Sequence, residues 1–335
     1  MLKVGIFGAG HLGKIHIQQW LSIENIEIIG FYDPDDTQAD TAISKYHIQR
    51  YNDIGKLIEL SDAVDIVSTT TSHYEIAKRA LLSGKHIFIE KPLANTLDEA
   101  TELVNLVHEA NVKCQIGHVE RYNPALIALG DQLLQPMFIE AHRLAQFNPR
   151  GTDVSVILDL MIHDIDIALH LVKSPVRRIS ASGVAVLSET ADIANARIEF
   201  DNGCVANLTA SRISLKNMRK MRLFQRDAYI GIDFLEKKTE VVRIKNSAAQ
   251  NGIPHGVTIG TDFPIELANG ERKILSVEMP EVALFNAIKT ELTEFAEAII
   301  KDKPVRVSVY DGYQALDIAY QVLGKMSMHN QMHNV

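Results

Sequence analysis

The pattern of apolar and polar positions changes at about residue 120. Before it, short apolar runs alternate with stretches of helical period. LKVGIF (2–7) reads as a strand, residues 15–24 as a helix, and IEIIGFY (26–32) as a second strand. VDIVSTT (64–70), KHIFIE (85–90) and VKCQIG (112–117) continue the strands, with helical patterns over 74–82 and 97–110 between them. Ser83–Gly84 stops the first of those helices. Thr96 and Glu99 stand as a capping box before the second. Strands alternating with helices predict a parallel, doubly wound sheet.

Beyond residue 120 the first strong segment is ILDLMIHDIDIALHLV (157–172), a helical pattern apolar nearly all round. Asp159, His163, Asp166 and His170 recur at i, i+4, i+7 and i+11, which places them on one stripe; Asp164 lies off it. Closely spaced apolar runs follow over 176–186, 194–200, 205–213, 221–232 and 240–245, with Asp201-Asn202-Gly203 as a hairpin signal. They predict a large, mostly antiparallel sheet, packed on helices by one face and open on the other. Residues 246–270 read as loop, 281–300 and 311–323 as amphipathic helices, and 326–335 as a frayed tail. The expected domains are 1–119 and 120–335.

Composition narrows the class. The 335 residues are 46% hydrophobic and 23% charged, an ordinary globular balance for about two domains. A net charge of −8 argues against nucleic acid as a partner. Cys114 and Cys204 make no disulfide framework, so a reducing compartment is expected. No apolar run reaches membrane-spanning length, and the N-terminus runs straight into a strand. A cytoplasmic enzyme or binding protein, with no membrane partner, is expected.

The turn after the first strand, GAGHLG (8–13), has the GxGxxG spacing between a strand and a helix, and Asp33 closes the next strand. That context reads as a dinucleotide-binding, Rossmann-type fold. Gly8 permits the tight turn, Gly10 lets backbone approach a pyrophosphate beside His11 and Leu12, and Gly13 lets helix and strand pack closely. Asp33 is placed to accept from the adenosine ribose hydroxyls. No Lys or Arg follows it until Lys45, so NAD is expected rather than NADP. Thr69, Thr70, His73, Glu90, Lys91 and His118 also fall at or just beyond carboxyl ends of strands, where such sheets bind ligands. Lys91, fixed between Glu90 and Pro92, is the strongest proton-transfer candidate of the set. His73 and His118 suit a structural hydrogen bond as well as a ligand contact.

These motifs together resemble the Gfo/Idh/MocA family of NAD(P)-dependent sugar and polyol oxidoreductases. The resemblance rests on GAGHLG (8–13), EKP (90–92) and DLMIH (159–163) in that order, and extends over the whole chain. It implies that Lys91, Asp159 and His163 surround the reacting carbon. Thr70 stands where many members have proline. GHVERYNP (117–124) and DLMIHDID (159–166) look most like the UDP-N-acetylglucosamine 3-dehydrogenase branch. That similarity implies a sugar or nucleotide-sugar substrate, with His118, Arg121, Tyr122, Asn123 and His163 around it. Arg212, Lys216, Arg219, Lys220 and Arg222 form a basic stretch that suits a diphosphate, with Arg212 the candidate contact, or equally a solvated or subunit-facing surface. A homodimer or homotetramer through the open sheet face is expected.

Sequence does not decide whether Lys91 or His163 is the immediate base. Four rival readings stand beside the dehydrogenase: a methyltransferase, whose second strand also ends in an acid, a regulatory protein that binds NAD and sugar without turnover, a reductase of a non-sugar carbonyl or tetrapyrrole, and a hydrolase holding a metal on Asp159, His163 and Asp166. The dinucleotide context argues against the last, and no metal is expected.

Overall fold

The structure, a computed structural model, describes residues 1–130, 134–148, 154–246, 257–258, 262–266 and 268–333. The chain forms two compact units. One holds residues 1–122 and 286–317; the other holds 123–285 and the chain from Ile318 on.

The first unit is built on five parallel strands: β1 (Leu2–Phe7), β2 (Ile26–Tyr32), β3 (Ala63–Ile66), β4 (His86–Glu90) and β5 (Cys114–Gly117). Their order is β2-β1-β3-β4-β5. The order reverses between β1 and β3, which opens a crevice at the carboxyl ends of those strands. The helices are α1 (His11–Trp20), α2 (Asp36–Tyr46), α3 (Ile54–Leu60), α4 (Thr70–Leu82) and α5 (Leu97–Ala110), and α5 carries the expected Thr96–Glu99 capping box. Val4, Ile6, Phe31 and Phe88 of the strands bury against Ile17 and Trp20 of α1. Leu292 and Phe295 complete that core from a helix near the far end of the sequence. Residues 307–308 pair along β5, where Ile116 N–H donates to Val307 O and Gln115 bridges Ser308.

The second unit begins with a short helix, α6 (Pro124–Ile127), and β6 (Phe138–Leu144). A π-helical turn (Ile157–Met161) then leads into α7 (Ile162–Val172). The strands that follow are β7 (Val176–Val184), β8 (Ile193–Phe200), β9 (Val205–Ser211), β10 (Met218–Phe224), β11 (Ala228–Asp233), β12 (Lys238–Asn246), β13 (Val257–Thr258), β14 (Asp262–Glu266) and β15 (Arg272–Pro280). They form one ten-stranded sheet in the order β13-β15-β12-β11-β10-β6-β9-β8-β7, with β14 also on β15. Every pairing is antiparallel except β6 with β9. Period-two alternation makes the sheet two-faced. Ile139, Ala141, Met221, Leu223, Leu208 and Ile230 are buried on one side. On the other, Lys220, Arg222 and Phe224 are exposed.

The last helices are α8 (Ala287–Ile300), in the first unit, and α9 (Val309–His333). Several expectations shift. The run 221–232 is a hairpin, β10 and β11 turning at 225–227, rather than one strand. The expected loop 246–270 contains β13 and β14; its residues 247–256, 259–261 and 267 lie outside the described ones. The expected frayed tail is helical to His333, with Met326 buried against the position of Gly183. Helix α4 starts at Thr70, a turn earlier than the apolar pattern indicated, because polar Thr and Ser are tolerated in a first turn whose N–H groups lack intrahelical partners.

Candidate active site

The glycine turn is built as its spacing indicates. Gly8 has φ +111°, and a Cβ there would lie 2.7 Å from Val67 O. A Cβ on Gly13 would strike the carbonyl of Gly8 at 2.2 Å, so α1 approaches β1 as closely as it does only with glycine. At Gly10 a Cβ would meet nothing within 4 Å: the backbone faces open space, as a cradle for a phosphate requires. His11 and Leu12 open α1, which has no side-chain cap. Its N-terminal N–H groups and partial positive charge suit the pyrophosphate of a dinucleotide.

Asp33 follows β2 and is buried. One carboxyl oxygen accepts from Ala9 N at 2.6 Å and the other from Asp35 N at 2.8 Å, which ties the acid to the glycine turn. Arg50 is a neighbour that spacing along the chain could not show. Residues 49–51 pair beside β2, and the Arg50 guanidinium reaches Asp33 O at 2.9 Å and Asp36 at 2.8 Å. The chain residues therefore fit an adenosine ribose, with both a carboxylate and a cation at its place.

Thr69 occupies the N-cap position of α4 without a side-chain capping bond and is exposed, with its hydroxyl 3.3 Å from that of Thr71; Thr70 opens the helix. His73 is buried, and its ring lies between two backbone carbonyls, Pro92 O at 3.0 Å and Ser68 O at 3.1 Å. Burial lowers its pKa despite those carbonyls, so the neutral ring donates to one of them at a time. It braces the end of β3 against the Lys91–Pro92 turn, which contains a cis peptide bond. Glu90 is buried, and its carboxylate accepts from Lys91 N at 3.1 Å. The half-buried Lys91 thus leaves β4 at a point fixed from both sides.

His118 follows β5 directly, Arg121 and Tyr122 lie in the 3-10 turn after it (Val119–Tyr122), and all three are buried. Arg121 reaches Asp311 at 3.4 Å, and the Tyr122 ring lies beneath the Arg306 guanidinium at 5.0 Å. Burial raises the Tyr122 phenol well above its ordinary value. Asn123 caps α6 by accepting from Ala125 N, and it donates to Phe234 O.

In the second unit, Asp159 lies in the π-helical turn and His163 in the first turn of α7, both partly exposed. Ser155 accepts from Ile157 N, and its own carbonyl takes the N–H of Asp159. π-turns widen the helix locally and recur at functional sites. The acid off the polar stripe has a partner on a neighbouring strand. Asp164 takes a two-point ion pair from Arg143 of β6, at 3.0 and 2.9 Å, with both side chains buried. Asp166 is buried too, while His170 is partly exposed. Arg212 is buried, donates to Val154 O, and stands 4.0 Å from Asp192. Lys216, Arg219, Lys220 and Arg222 are exposed, so the basic stretch does not act as one group. Among the described residues, only His16, Glu90 and Glu291 bring three metal-ligand atoms together; Asp159, His163 and Asp166 do not.

The crevice, the glycine turn and the acid after β2 define a dinucleotide-binding fold. The family model for the Gfo/Idh/MocA oxidoreductases with an NAD-binding Rossmann fold matches residues 2–118, and the model of that family's C-terminal domain matches 135–229. The chain belongs to this family and is an NAD(P)-dependent dehydrogenase. It is 33% identical over 322 residues to the UDP-N-acetylglucosamine 3-dehydrogenase of Acidithiobacillus ferrooxidans, covering 96% of each chain. A solved structure of that relative superposes with a TM-score of 0.85 at 32% identity, covering 97% of each. The chain is also 27% identical over 332 residues to an inositol 2-dehydrogenase/D-chiro-inositol 3-dehydrogenase of Lacticaseibacillus casei, covering 94% of this chain and 89% of that one. Among the described residues no helix is long and apolar enough to cross a membrane.

Proposed function

We propose that the chain oxidises the 3-hydroxyl of a UDP-N-acetylhexosamine, with NAD preferred over NADP. The observation that carries this reading is the likeness to the A. ferrooxidans enzyme along nearly the whole of both chains. When bound, NAD supplies the acceptor for the hydride of the carbinol carbon. Gly8, Gly10, Gly13 and Asp33 would hold it, with Thr69 and Thr70 at the same end of the sheet. His163 takes the proton that leaves the hydroxyl, since imidazole titrates near working pH. Asp159, one turn before it, holds the ring and stabilises its cation. Lys91 polarises the substrate oxygen.

NAD is preferred because the Asp33 carboxylate repels a 2′-phosphate. Arg50 is already committed to Asp33 O and Asp36. The open face of the second sheet is the self-association surface, and the cytoplasm is the expected compartment. The deciding experiment follows NAD reduction with UDP-N-acetylglucosamine, free N-acetylglucosamine and myo-inositol. Turnover with the nucleotide sugar alone is expected. Equal turnover with the free sugar removes the nucleotide from the specificity, and turnover with inositol alone overturns the substrate.

A further inference from the structure

Beneath the strand end that carries Lys91 lies a closed polar cluster that the dinucleotide turn does not use. Glu291 of α8 is fully buried, and neither of its carboxyl oxygens has a hydrogen-bond partner among the described residues. One of them, His16 Nε2 and a Glu90 oxygen all lie within 4.8 Å of one another. His16 Nδ1 is 2.9 Å from Asp65 Oδ2, which also accepts from Trp20 Nε1 at 2.8 Å. His16 Nε2 is 3.3 Å from Glu90 Oε1. Gln115 donates to the backbone carbonyl of Glu291 and adds no charge. The other titratable or charged groups around α8 here are Tyr122, Glu294 and Arg306.

Three carboxyls therefore share one imidazole. Burial works against a charge on His16, yet Asp65 and Glu90 outweigh it and raise the imidazole well above the ordinary histidine value. Its single positive charge already faces two carboxylates. A third anion would be buried without a counter-charge, which is costly. Burial, reinforced by the nearby Glu90 carboxylate, pushes Glu291 well above the usual carboxylate range.

We infer that Glu291 is a neutral carboxylic acid in the folded protein and a positioning residue for Lys91, acting through Glu90. This rests on the reading that Lys91 takes part in the reaction. The Glu90 carboxylate lies flat on the next strand: a Cβ added at Gly117 would come within 2.7 Å of its Oε1. From that seat it accepts from Lys91 N. A neutral Glu291 leaves Glu90 in place, whereas an ionised one repels it from the turn it anchors.

The test compares the full-length chain with Glu291→Gln, a neutral isostere. The folded state keeps the Glu291 proton, while the unfolded chain loses it above about pH 4.3. Its contribution to stability is thus complete below that pH and is lost as pH rises towards the folded value. In denaturant titrations from pH 5 to 9, the folding constant of the wild type should fall by up to about tenfold per pH unit relative to E291Q. His16 is common to both proteins and cancels. Parallel curves overturn the neutral acid, and this readout needs no substrate, so it stands apart from the dehydrogenase reading. Should E291Q not fold, Glu291→Met serves, with the same divergence expected. The positioning role is read from turnover: once pH passes the point where the stability difference between wild type and E291Q levels off, the ratio of kcat in E291Q to wild type should rise at least about threefold. A flat ratio overturns it. So does a stoichiometric divalent metal in purified wild-type protein that E291Q lacks.

Discussion

Asp33 shows how much one residue's chemistry depends on neighbours far along the chain. Its position after a strand marks it as a ribose acceptor, yet its bonds to Ala9 N and Asp35 N make it part of the turn as well. Asp33→Ala should weaken NAD binding by about 10- to 100-fold, the worth of charge-assisted hydrogen bonds, and narrow the preference over NADP; a fluorescence titration with both cofactors checks this. His163→Ala should lower kcat by about 10²- to 10⁴-fold with NAD affinity nearly intact. An equal loss of NAD binding would count against a proton-transfer role. Other candidates had a legible residue type but no legible partner. His73, Asn123 and Arg212 are polar side chains near expected ligand positions, and all three bind backbone carbonyls. Such partners come from other loops, and no local spacing reveals them.

At the scale of the element, the helix carrying Asp159 and His163 was legible from its period, but its π-turn was not. A π-turn changes the hydrogen-bonding partner by one residue without a distinctive composition. Asp164 illustrates the same limit: it read as the acid off the stripe, and the register of β6 supplies Arg143 to meet it. Arg143→Met should cost about 3–5 kcal/mol in urea denaturation, because it leaves a buried carboxylate unpaired. Arg143→Met combined with Asp164→Leu should recover most of that loss, since both charges go together. Failure of the double variant to recover would mean that neighbouring groups depend on the pair. Gly13→Ala tests the glycine turn: the 2.2 Å approach to Gly8 O leaves no room for a methyl group. Loss of NAD binding together with reduced stability is the expected result.

For the whole molecule, the open face of the large sheet is the surface to test. It carries a groove of about 910 Å³ lined in part by His142, Lys220, Arg222, Tyr229 and Glu240, beside the Phe138–Phe224–Tyr229 aromatic contacts. Aromatic and arginine side chains on a sheet face left open among the described residues suit association with a second copy. Light scattering should give a mass of two or four chains, and Phe224→Glu with Arg222→Glu should shift it towards one. An unchanged mass would place the interface elsewhere.

By itself the sequence determined the parallel βα alternation, the glycine turn, the acid after β2, the family, and the sheet-rich character of the second half. Each is written in local period or in motifs a few residues long, where side-chain direction follows directly from backbone geometry. Only the tertiary structure decided that β10 and β11 are two strands and that β6 pairs in parallel with β9. It also decided that α8 joins the first unit, where Phe295 meets Phe88 and Glu291 meets His16 and Glu90. Those contacts link residues up to about 275 positions apart, and the free energy that selects them is burial of matched surfaces, which no short window of sequence contains.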